Sequence, residues 1–238
     1  MELSIIIPTL NEENYLSLLL ESIKKQNFER GYEIIVSDAD SRDRTLEIAG
    51  DYGCKVTKGG LPAKGRNEGA KVAKGEIFLF LDADIILPTP LFFKKTLEEF
   101  EKRNLSIASF PLIIQGNKFD KFFFGIYNLW ANLTQNFFAH ASQAILVKRE
   151  IHQKIGGFDK EIRLGEDHIY AREGNKYGKF GFLKNETILA SARRLERDGR
   201  IVTYLKYFLA GFYMTFFGPV KSDIFNYKFG HYFKKNKI

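Results

Sequence analysis

Several features that would place the chain in other protein classes are scarce or missing. It has one cysteine, Cys54, in 238 residues, which excludes an internal disulfide framework and fits a reducing, cytoplasmic setting. The longest uninterrupted apolar stretch near the C-terminus, Tyr207 to Phe217, has eleven residues, whereas a helix needs about 20 to cross a bilayer. The N-terminus lacks the basic segment of a signal peptide. We therefore expect a cytoplasmic protein without a spanning helix.

Two common kinds of site are also missing. The loop after the first predicted strand lacks the multiple glycines of a dinucleotide or phosphate cradle, which disfavours a dehydrogenase or a nucleotidyltransferase. No His-x-x-x-His spacing occurs, so structural or surface roles are expected for the four histidines, His140, His152, His168 and His231.

Short apolar runs alternate with helical spacings along the first part of the chain. The runs predict buried strands at Leu3–Ile7, Tyr32–Val36, Cys54–Thr57 and Ile77–Leu81. A helix is expected from Thr45 to Tyr52 and another from Arg66. Strands that alternate with helices predict an α/β fold with a mostly parallel, Rossmann-like central sheet and helices on both faces.

Polar clusters follow three of these strands, at residues 8–12, 38–45 and 82–84. Ligands of such sheets bind at the carboxyl ends of the strands, so the three clusters are expected to form one site. Asp82 and Asp84 would point the same way from an extended backbone and repel each other. A hard divalent ion that carries substrate phosphates would relieve that repulsion. A solvated acidic turn is the alternative.

Four segments in this order resemble the family-2 glycosyltransferases of the GT-A fold, over roughly residues 3 to 190. They are SIIIPTLNEE, EIIVSDADSRDRT, AKGRNEGAKVAKGEIFLFLDAD and ILVKREIHQKIGGFDKEIRLGEDHIYAR. The resemblance implies inverting transfer of a sugar from a UDP- or GDP-linked donor. It also implies a divalent metal, Mn²⁺ or Mg²⁺.

The resemblance assigns roles by position. Asp82 and Asp84 match the metal-binding DxD pair, and Asp167 matches the general base, with Glu166 in reserve. Glu166 and Asp167 could instead be the acidic start of a helix. The positions that match nucleotide-sugar contacts are Pro8, Thr9, Asn11, Glu12, Asp38, Arg66, Asp82 and Ala83. The chain departs from the family at Ala39 and at residues 40–42, which leaves the base and the ribose contacts open.

The basic charge is confined to the C-terminal part of the chain. Residues 193–238 hold ten Lys/Arg against three Asp/Glu, and residues 1–192 are neutral. We therefore predict a catalytic domain at 1–192 and a basic, aromatic helical extension at 193–238. Arg193 and Arg194 would clamp a phosphate, or would belong to a solvated helix end.

Residues 201–220 of this extension predict an interfacial helix, which the basic end 234–237 would help to hold on an anionic membrane. A contact in a homo-oligomer is the alternative. Basic and aromatic side chains also suit single-stranded nucleic acid, although none is expected here. The acceptor would be a polyprenyl phosphate or a lipid-linked or other glycan. A catalytically inactive binding protein of the same fold is the second hypothesis.

An aromatic segment between residues 119 and 130 predicts a helix. We interpret it as facing the core or a second copy of the chain, rather than a ligand.

Overall fold

The computed structural model describes residues 2–222 and 224. Within them the main sheet has seven strands in the order β3-β2-β1-β4-β8-β6-β9. These are β1 Leu3–Thr9, β2 Tyr32–Asp38, β3 Lys55–Lys58, β4 Ile77–Leu81, β6 Ile107–Ser109, β8 Ala144–Lys148 and β9 Phe180–Phe182. Strand β8 runs antiparallel to β4 and to β6, and the other neighbouring pairs are parallel. The predicted mostly parallel sheet is confirmed.

A second, three-stranded sheet lies beyond the end of β4. Its order is β5-β10-β7, from β5 Ile85–Ile86, β7 Leu112–Gln115 and β10 Ile188–Ser191. Because only three residues separate β4 from β5, the chain must turn sharply between the two sheets. Asp82, Ala83 and Asp84 form that turn.

Nine helices connect the strands over the described residues. They are α1 Leu16–Lys24, α2 Thr45–Asp51, α3 Pro62–Val72, α4 Phe92–Lys102, α5 Lys118–Thr134, α6 Arg149–Ile155, α7 Glu166–Tyr177, α8 Arg193–Asp198 and α9 Arg200–Phe216. Helix α3 begins four residues before the predicted Arg66. Pro62 occupies its first turn, where a missing N–H costs nothing, so the Gly-Gly-Leu-Pro loop ends earlier than expected.

Alternate residues of the central strands enter two separate cores. Ile5 of β1 and Leu79 of β4 pack with α1 and α4 on one face, whereas Ile6 and Phe80 pack with α3 and α7 on the other. Strands buried on both faces read as continuous apolar runs, which is the pattern seen in the sequence. Helices on both faces are therefore confirmed.

Helices α5 and α9 pack against each other outside the main sheet. The Tyr204 ring of α9 lies 4.1 Å from the Phe123 ring of α5, between centroids. Asp120 of α5, which is fully buried, accepts hydrogen bonds from Tyr204 Oη at 2.7 Å and Arg200 Nε at 2.9 Å. These contacts fix α9 beside α5.

The predicted interfacial helix corresponds to α9, which ends at Phe216. None of the helices in residues 2–222 combines the length and apolar character needed to cross a membrane. The basic end 234–237 and His231 lie outside the described residues. The division into domains 1–192 and 193–238 stays a prediction.

Candidate active site

A cavity of about 810 Å³ opens where the central strands end. Its walls come from the loop after β1, the start of α3, the turn after β4, the start of α7, and helices α5, α8 and α9. Two of the three predicted polar clusters, residues 8–12 and 82–84, therefore meet at one place, together with two helices from late in the chain. The third, residues 38–45, does not line the cavity. The predicted site residues that line the cavity are Pro8, Thr9, Glu12, Arg66, Asp82, Ala83, Asp84, Glu166, Asp167, Arg193 and Arg194.

The turn Asp82-Ala83-Asp84 lies at the centre of this wall. Hydrogen bonds from Asp82 N to Gln143 O at 3.0 Å and from Ser191 N to Asp84 O at 3.1 Å hold its backbone. Ala83 is buried in the core and anchors the turn. Both carboxylates consequently face the same cavity, as expected from the sequence.

Arg66 bridges Asp82 and Glu166, the residue before the predicted base Asp167. Its Nη2 donates to Asp82 Oδ1 at 2.7 Å and its Nη1 donates to Glu166 Oε1 at 2.8 Å. The guanidinium also lies over the Phe158 ring, 5.2 Å from the centroid. Burial by itself would lower the pKa of Arg66, but the carboxylates of Asp82 and Glu166 outweigh it and raise the pKa. Arg66 is therefore a fixed positive charge at the floor of the cavity.

Arg193, at the start of α8, joins the other carboxylates. Its Nη1 and Nη2 donate to the two oxygens of Glu12 at 2.6 and 2.8 Å, and its Nε lies 2.9 Å from Asp84 Oδ2. Burial raises the pKa of Glu12 to about 7, although the hydrogen bonds from Arg193 oppose the shift. The predicted phosphate clamp thus lies against the Asp82–Asp84 turn.

Asp82 and Asp84 fit a hard divalent cation by the chemistry of their donors. Such ions take one or two carboxylates and complete their shell with substrate phosphates and water. The described part of the chain offers no group of three or more His, Cys, Asp or Glu side chains that would hold a metal without such help.

The start of α7 places Glu166 and Asp167 in the cavity. Gly165 precedes them with φ +76°, and a Cβ there would lie 2.5 Å from Met214 Sδ of α9, so glycine suits both the turn and the close approach. Burial, and then the neighbouring Glu166 carboxylate, raises the pKa of Asp167 to about 7. A carboxylate with a pKa near neutrality is well matched to accept a proton.

Two predicted nucleotide contacts are not part of the cavity lining. Asp38 is buried, and its carboxylate accepts from Thr9 Oγ1 at 2.8 Å and from Ser41 N at 2.7 Å. Asn11 has φ +55°, and its Oδ1 accepts from Arg42 N at 2.7 Å. Neither residue lines the cavity, so their roles in binding the donor stay predictions.

The sequence interpretation missed the far side of the cavity. The aromatic segment does form a helix, α5, but only Asp120 and Ala131 of it are buried, so its placement in the core was wrong. The alternative contact with a second copy of the chain stays a prediction. Tyr127 and Trp130 instead line the cavity, as do His140 and Arg172. Helical spacing predicts that a helix has an apolar face, but not which surface that face covers.

Curated relatives match parts of the chain. Over 93 residues it is 41% identical to the poly(ribitol-phosphate) beta-N-acetylglucosaminyltransferase TarS of Staphylococcus aureus. That aligned segment covers 35% of this chain and 16% of TarS. It is 35% identical over 126 residues to the dolichol-phosphate mannosyltransferase of Pyrococcus furiosus, which covers 50% of this chain and 35% of that protein. The chain thus spans a minor part of these relatives.

Solved structures share the fold. TarS residues 1–349 of S. aureus with UDP superpose with a TM-score of 0.65 and 22% identity, over 80% of this chain and 60% of that one. The mannosyltransferase PcManGT of Pyrobaculum calidifontis with GDP-Man and Mn²⁺ superposes with a TM-score of 0.67 and 19% identity. The match covers 87% of this chain and 64% of that one. The fold is therefore of the expected GT-A type.

The family model described as glycosyl transferase family 2 matches residues 4–158, from β1 to the turn that follows α6. That segment contains Glu12, Arg66 and the Asp82–Asp84 turn. The chain belongs to glycosyl transferase family 2.

Proposed function

We propose that this protein transfers a sugar from a nucleoside-diphosphate sugar to an acceptor by a single displacement that inverts the anomeric centre. One observation carries the proposal: Asp82, Asp84, Arg66, Arg193 and Asp167 all line the same cavity. Solved relatives of this fold hold UDP or GDP-Man. The reaction needs a cationic environment for the diphosphate and a base for the acceptor, and this cavity contains residues for both.

The donor diphosphate would bind on the side of Asp82 and Asp84. Its leaving oxygen gains negative charge as the bond to the sugar breaks, and the fixed charges of Arg66 and Arg193 stabilise that change. A bound Mn²⁺ or Mg²⁺, held by Asp82 and Asp84, would supply Lewis-acid stabilisation of the same charge. PcManGT was solved with Mn²⁺ together with its donor, which supports this choice of metal.

Asp167 would accept the proton of the acceptor hydroxyl as that oxygen attacks the anomeric carbon. Its carboxylate is close enough to Glu166 and Arg66 for both to influence its pKa, so its charge depends on the donor-side network. If the acceptor oxygen belongs to an ionised phosphate, less base catalysis is needed.

A donor screen tests the proposed activity. Release of nucleoside diphosphate from a panel of UDP- and GDP-sugars would be measured with Mn²⁺, and donor binding would be measured in parallel by calorimetry. We expect one donor to be hydrolysed slowly without acceptor and faster with it. Binding without any release over the whole panel would favour the inactive binding protein instead.

We also propose that α5 and α9 dock the protein on an anionic membrane at the cytoplasmic face. Large apolar side chains are exposed on both helices, among them Phe119, Phe122, Leu129 and Leu133 on α5, and Ile201, Phe208, Phe212 and Phe216 on α9. Apolar exposure on this scale marks an interaction surface. The net charge of +7 in residues 193–238 favours an anionic partner.

Flotation with liposomes that contain anionic lipid tests this docking. Phe208→Ser with Phe212→Ser should reduce flotation, whereas Leu46→Ser with Val56→Ser, on exposed positions of α2 and β3, should not. If the α9 pair leaves flotation unchanged but converts a dimer to a monomer in light scattering, α9 is an oligomer contact.

A further inference from the structure

Three nitrogen atoms on the side of the cavity formed by α7 and the segment after α5 have no hydrogen-bond partner within the described residues. They are His140 Nε2, His168 Nδ1 and Arg172 Nε. Burying a polar atom without a partner typically costs about 1–3 kcal/mol, so native proteins seldom leave several together. Ser142 Oγ and Gln143 Oε1 of the same lining also lack partners, but the guanidinium can only donate, so a ligand that accepts hydrogen bonds suits this cluster best.

The three side chains form one cluster. The His140 and His168 rings lie 5.9 Å apart between centroids, and His140 is only 4% exposed. Arg172 lies close enough to both rings for its charge to lower their pKa values, although burial is the larger cause. The pKa falls to about 3 at His140 and about 4 at His168, so both rings are neutral at pH 7, and each can carry its one N–H on the nitrogen that has no partner.

Arg172 differs in its partners from Arg66 and Arg193, which also line the cavity. Arg66 is held by two carboxylates, and so is Arg193. Arg172 forms no ion pair within residues 2–222; its Nη1 donates to the Met214 carbonyl of α9 at 3.3 Å. A guanidinium without a counter-ion in a partly desolvated site favours an anion there.

We propose that Arg172, His140 and His168 bind a phosphate group of the acceptor. The inference rests on the proposed function, because it assigns the acceptor end of the same cavity. The guanidinium supplies the charge and the two neutral imidazoles each donate one hydrogen bond to phosphate oxygens. Asp167 directly precedes His168 in α7, so a phosphate held here lies near the carboxylate proposed to serve the acceptor.

A structural role for Arg172 is the competing explanation. Its contact with Met214 caps the last turn of α9, where a cation is favoured by the helix dipole. That role uses Nη1 and needs neither histidine. Arg172→Lys retains the cap charge but loses the planar set of donors, so it separates the two roles.

Trp130 provides a direct probe of this cluster. It is the single tryptophan of the chain, and its ring lies 4.0 Å from the His140 ring between centroids. Its fluorescence would be recorded while the full chain, in a phosphate-free buffer at pH 7.5, is titrated with sodium phosphate, glycerol 3-phosphate, farnesyl phosphate or farnesol. The two organic phosphates distinguish a soluble acceptor from a lipid-linked one, and farnesol tests the apolar chain alone.

We expect saturable quenching by the phosphates, and a rise in Kd of about tenfold or more in Arg172→Gln, as for loss of a charge-assisted hydrogen bond. His140→Gln and His168→Gln should weaken binding less, and Arg172→Lys should restore it only in part. Asp82→Asn, on the donor side, should leave this Kd unchanged. Circular dichroism and thermal melting would confirm that each variant is folded.

Equal binding by Arg172→Gln and the wild type, or equal binding of farnesol and farnesyl phosphate, would overturn the site. An effect of Asp82→Asn without one of Arg172→Gln would place the phosphate on the donor side and overturn it as well. If Arg172-dependent binding occurs but no nucleotide sugar is turned over, the acceptor assignment falls with the proposed function. Donor turnover with Arg172-independent phosphate binding would leave the proposed function standing alone.

Discussion

Arg193 and Glu12 lie 181 residues apart in the chain and form a paired contact, with Nη1 2.6 Å from Oε2 and Nη2 2.8 Å from Oε1. This contact ties α8, and through it α9, to the loop after β1. The same guanidinium reaches Asp84, so one side chain contacts two carboxylates of the proposed donor site. Parts of the chain from its two ends are thereby held around the cavity.

We predict that Arg193→Gln lowers the free energy of unfolding by about 3 kcal/mol, because it leaves the buried carboxylates of Glu12 and Asp84 without this cation. Urea denaturation at pH 7 would measure the change. Arg44→Gln, which breaks an exposed pair with Glu47, should have little effect. Glu12→Gln combined with Arg193→Gln should recover part of the loss. Equal midpoints for Arg193→Gln and the wild type would show that the contact does not stabilise the fold.

The metal assignment predicts that Asp82→Asn and Asp84→Asn each reduce Mn²⁺-dependent release of nucleoside diphosphate by about a hundredfold or more, since the proposed ligand charge is lost. Titration with Mn²⁺ in the presence of the donor should show that each variant binds the metal more weakly than the wild type does. Glu173→Gln, on an exposed part of α7, is the matched control. Full activity in excess EDTA would remove the metal from the proposal.

The raised pKa of Asp167 predicts that kcat/KM increases with pH up to about 7, because the base must lose its proton to act. Asp167→Asn should remove this rising limb of the plot of kcat/KM against pH. It should also lower kcat far more than donor affinity. The pKa values of His140, His152 and His168 are about 3 to 4, so these rings do not titrate there. Glu12 also has a pKa of about 7, and Glu12→Gln should keep the limb. Persistence of the limb in Asp167→Asn would assign the proton to another group.

The same shift predicts an effect on stability with a defined sign. The folded protein holds the Asp167 proton more tightly than the unfolded chain, in which the pKa of this carboxyl is near 3.8. The stabilising contribution is therefore complete below pH 3.8 and is lost as pH rises through about 7. Asp167→Asn should raise the melting temperature at pH 8 more than at pH 5. A larger gain at pH 5 would contradict the raised pKa.

The sequence was sufficient for four strands of the main sheet, β1 to β4, and for one wall of the site, for a physical reason. Ile77–Leu81 and the turn after it are local features: a buried strand needs continuous apolar residues, and its end places Asp82 and Asp84. By contrast, Arg66 and Glu166 are 100 residues apart, and no local pattern pairs them.

The wall formed by α5 and α9 could not be predicted either. Both helices have apolar residues around much of their surface, so their periodicity does not fix a single buried face. His140 and Arg172 gave no signal because their pairing depends on where α5, α7 and α9 meet. Only the burial of their nitrogens in the folded chain made them candidates.

Asp120 provides the last prediction, which concerns how α9 is held on α5. Its buried carboxylate accepts from Tyr204 Oη, Arg200 Nε and Asn117 N. Burial would raise the pKa of Asp120, but the hydrogen bonds from Tyr204 and Arg200 outweigh it and lower the pKa. Its stabilising contribution is consequently present above the unfolded pKa and is lost as pH falls through the folded one.

Tyr204→Phe should therefore lower the free energy of unfolding by about 1–2 kcal/mol at pH 7, because it removes one donor from a buried carboxylate. The difference from the wild type should be smaller at pH 3 than at pH 7, because acid shifts Asp120 toward its protonated form. Thermal melts at both pH values would test this, with Tyr177→Phe, on the exposed end of α7, as the control. Since Trp130 shares α5 with Asp120, its fluorescence should report the same loosening of the cavity wall. A penalty for Tyr204→Phe that is equal at the two pH values would mean that the hydroxyl stabilises α9 independently of the Asp120 charge.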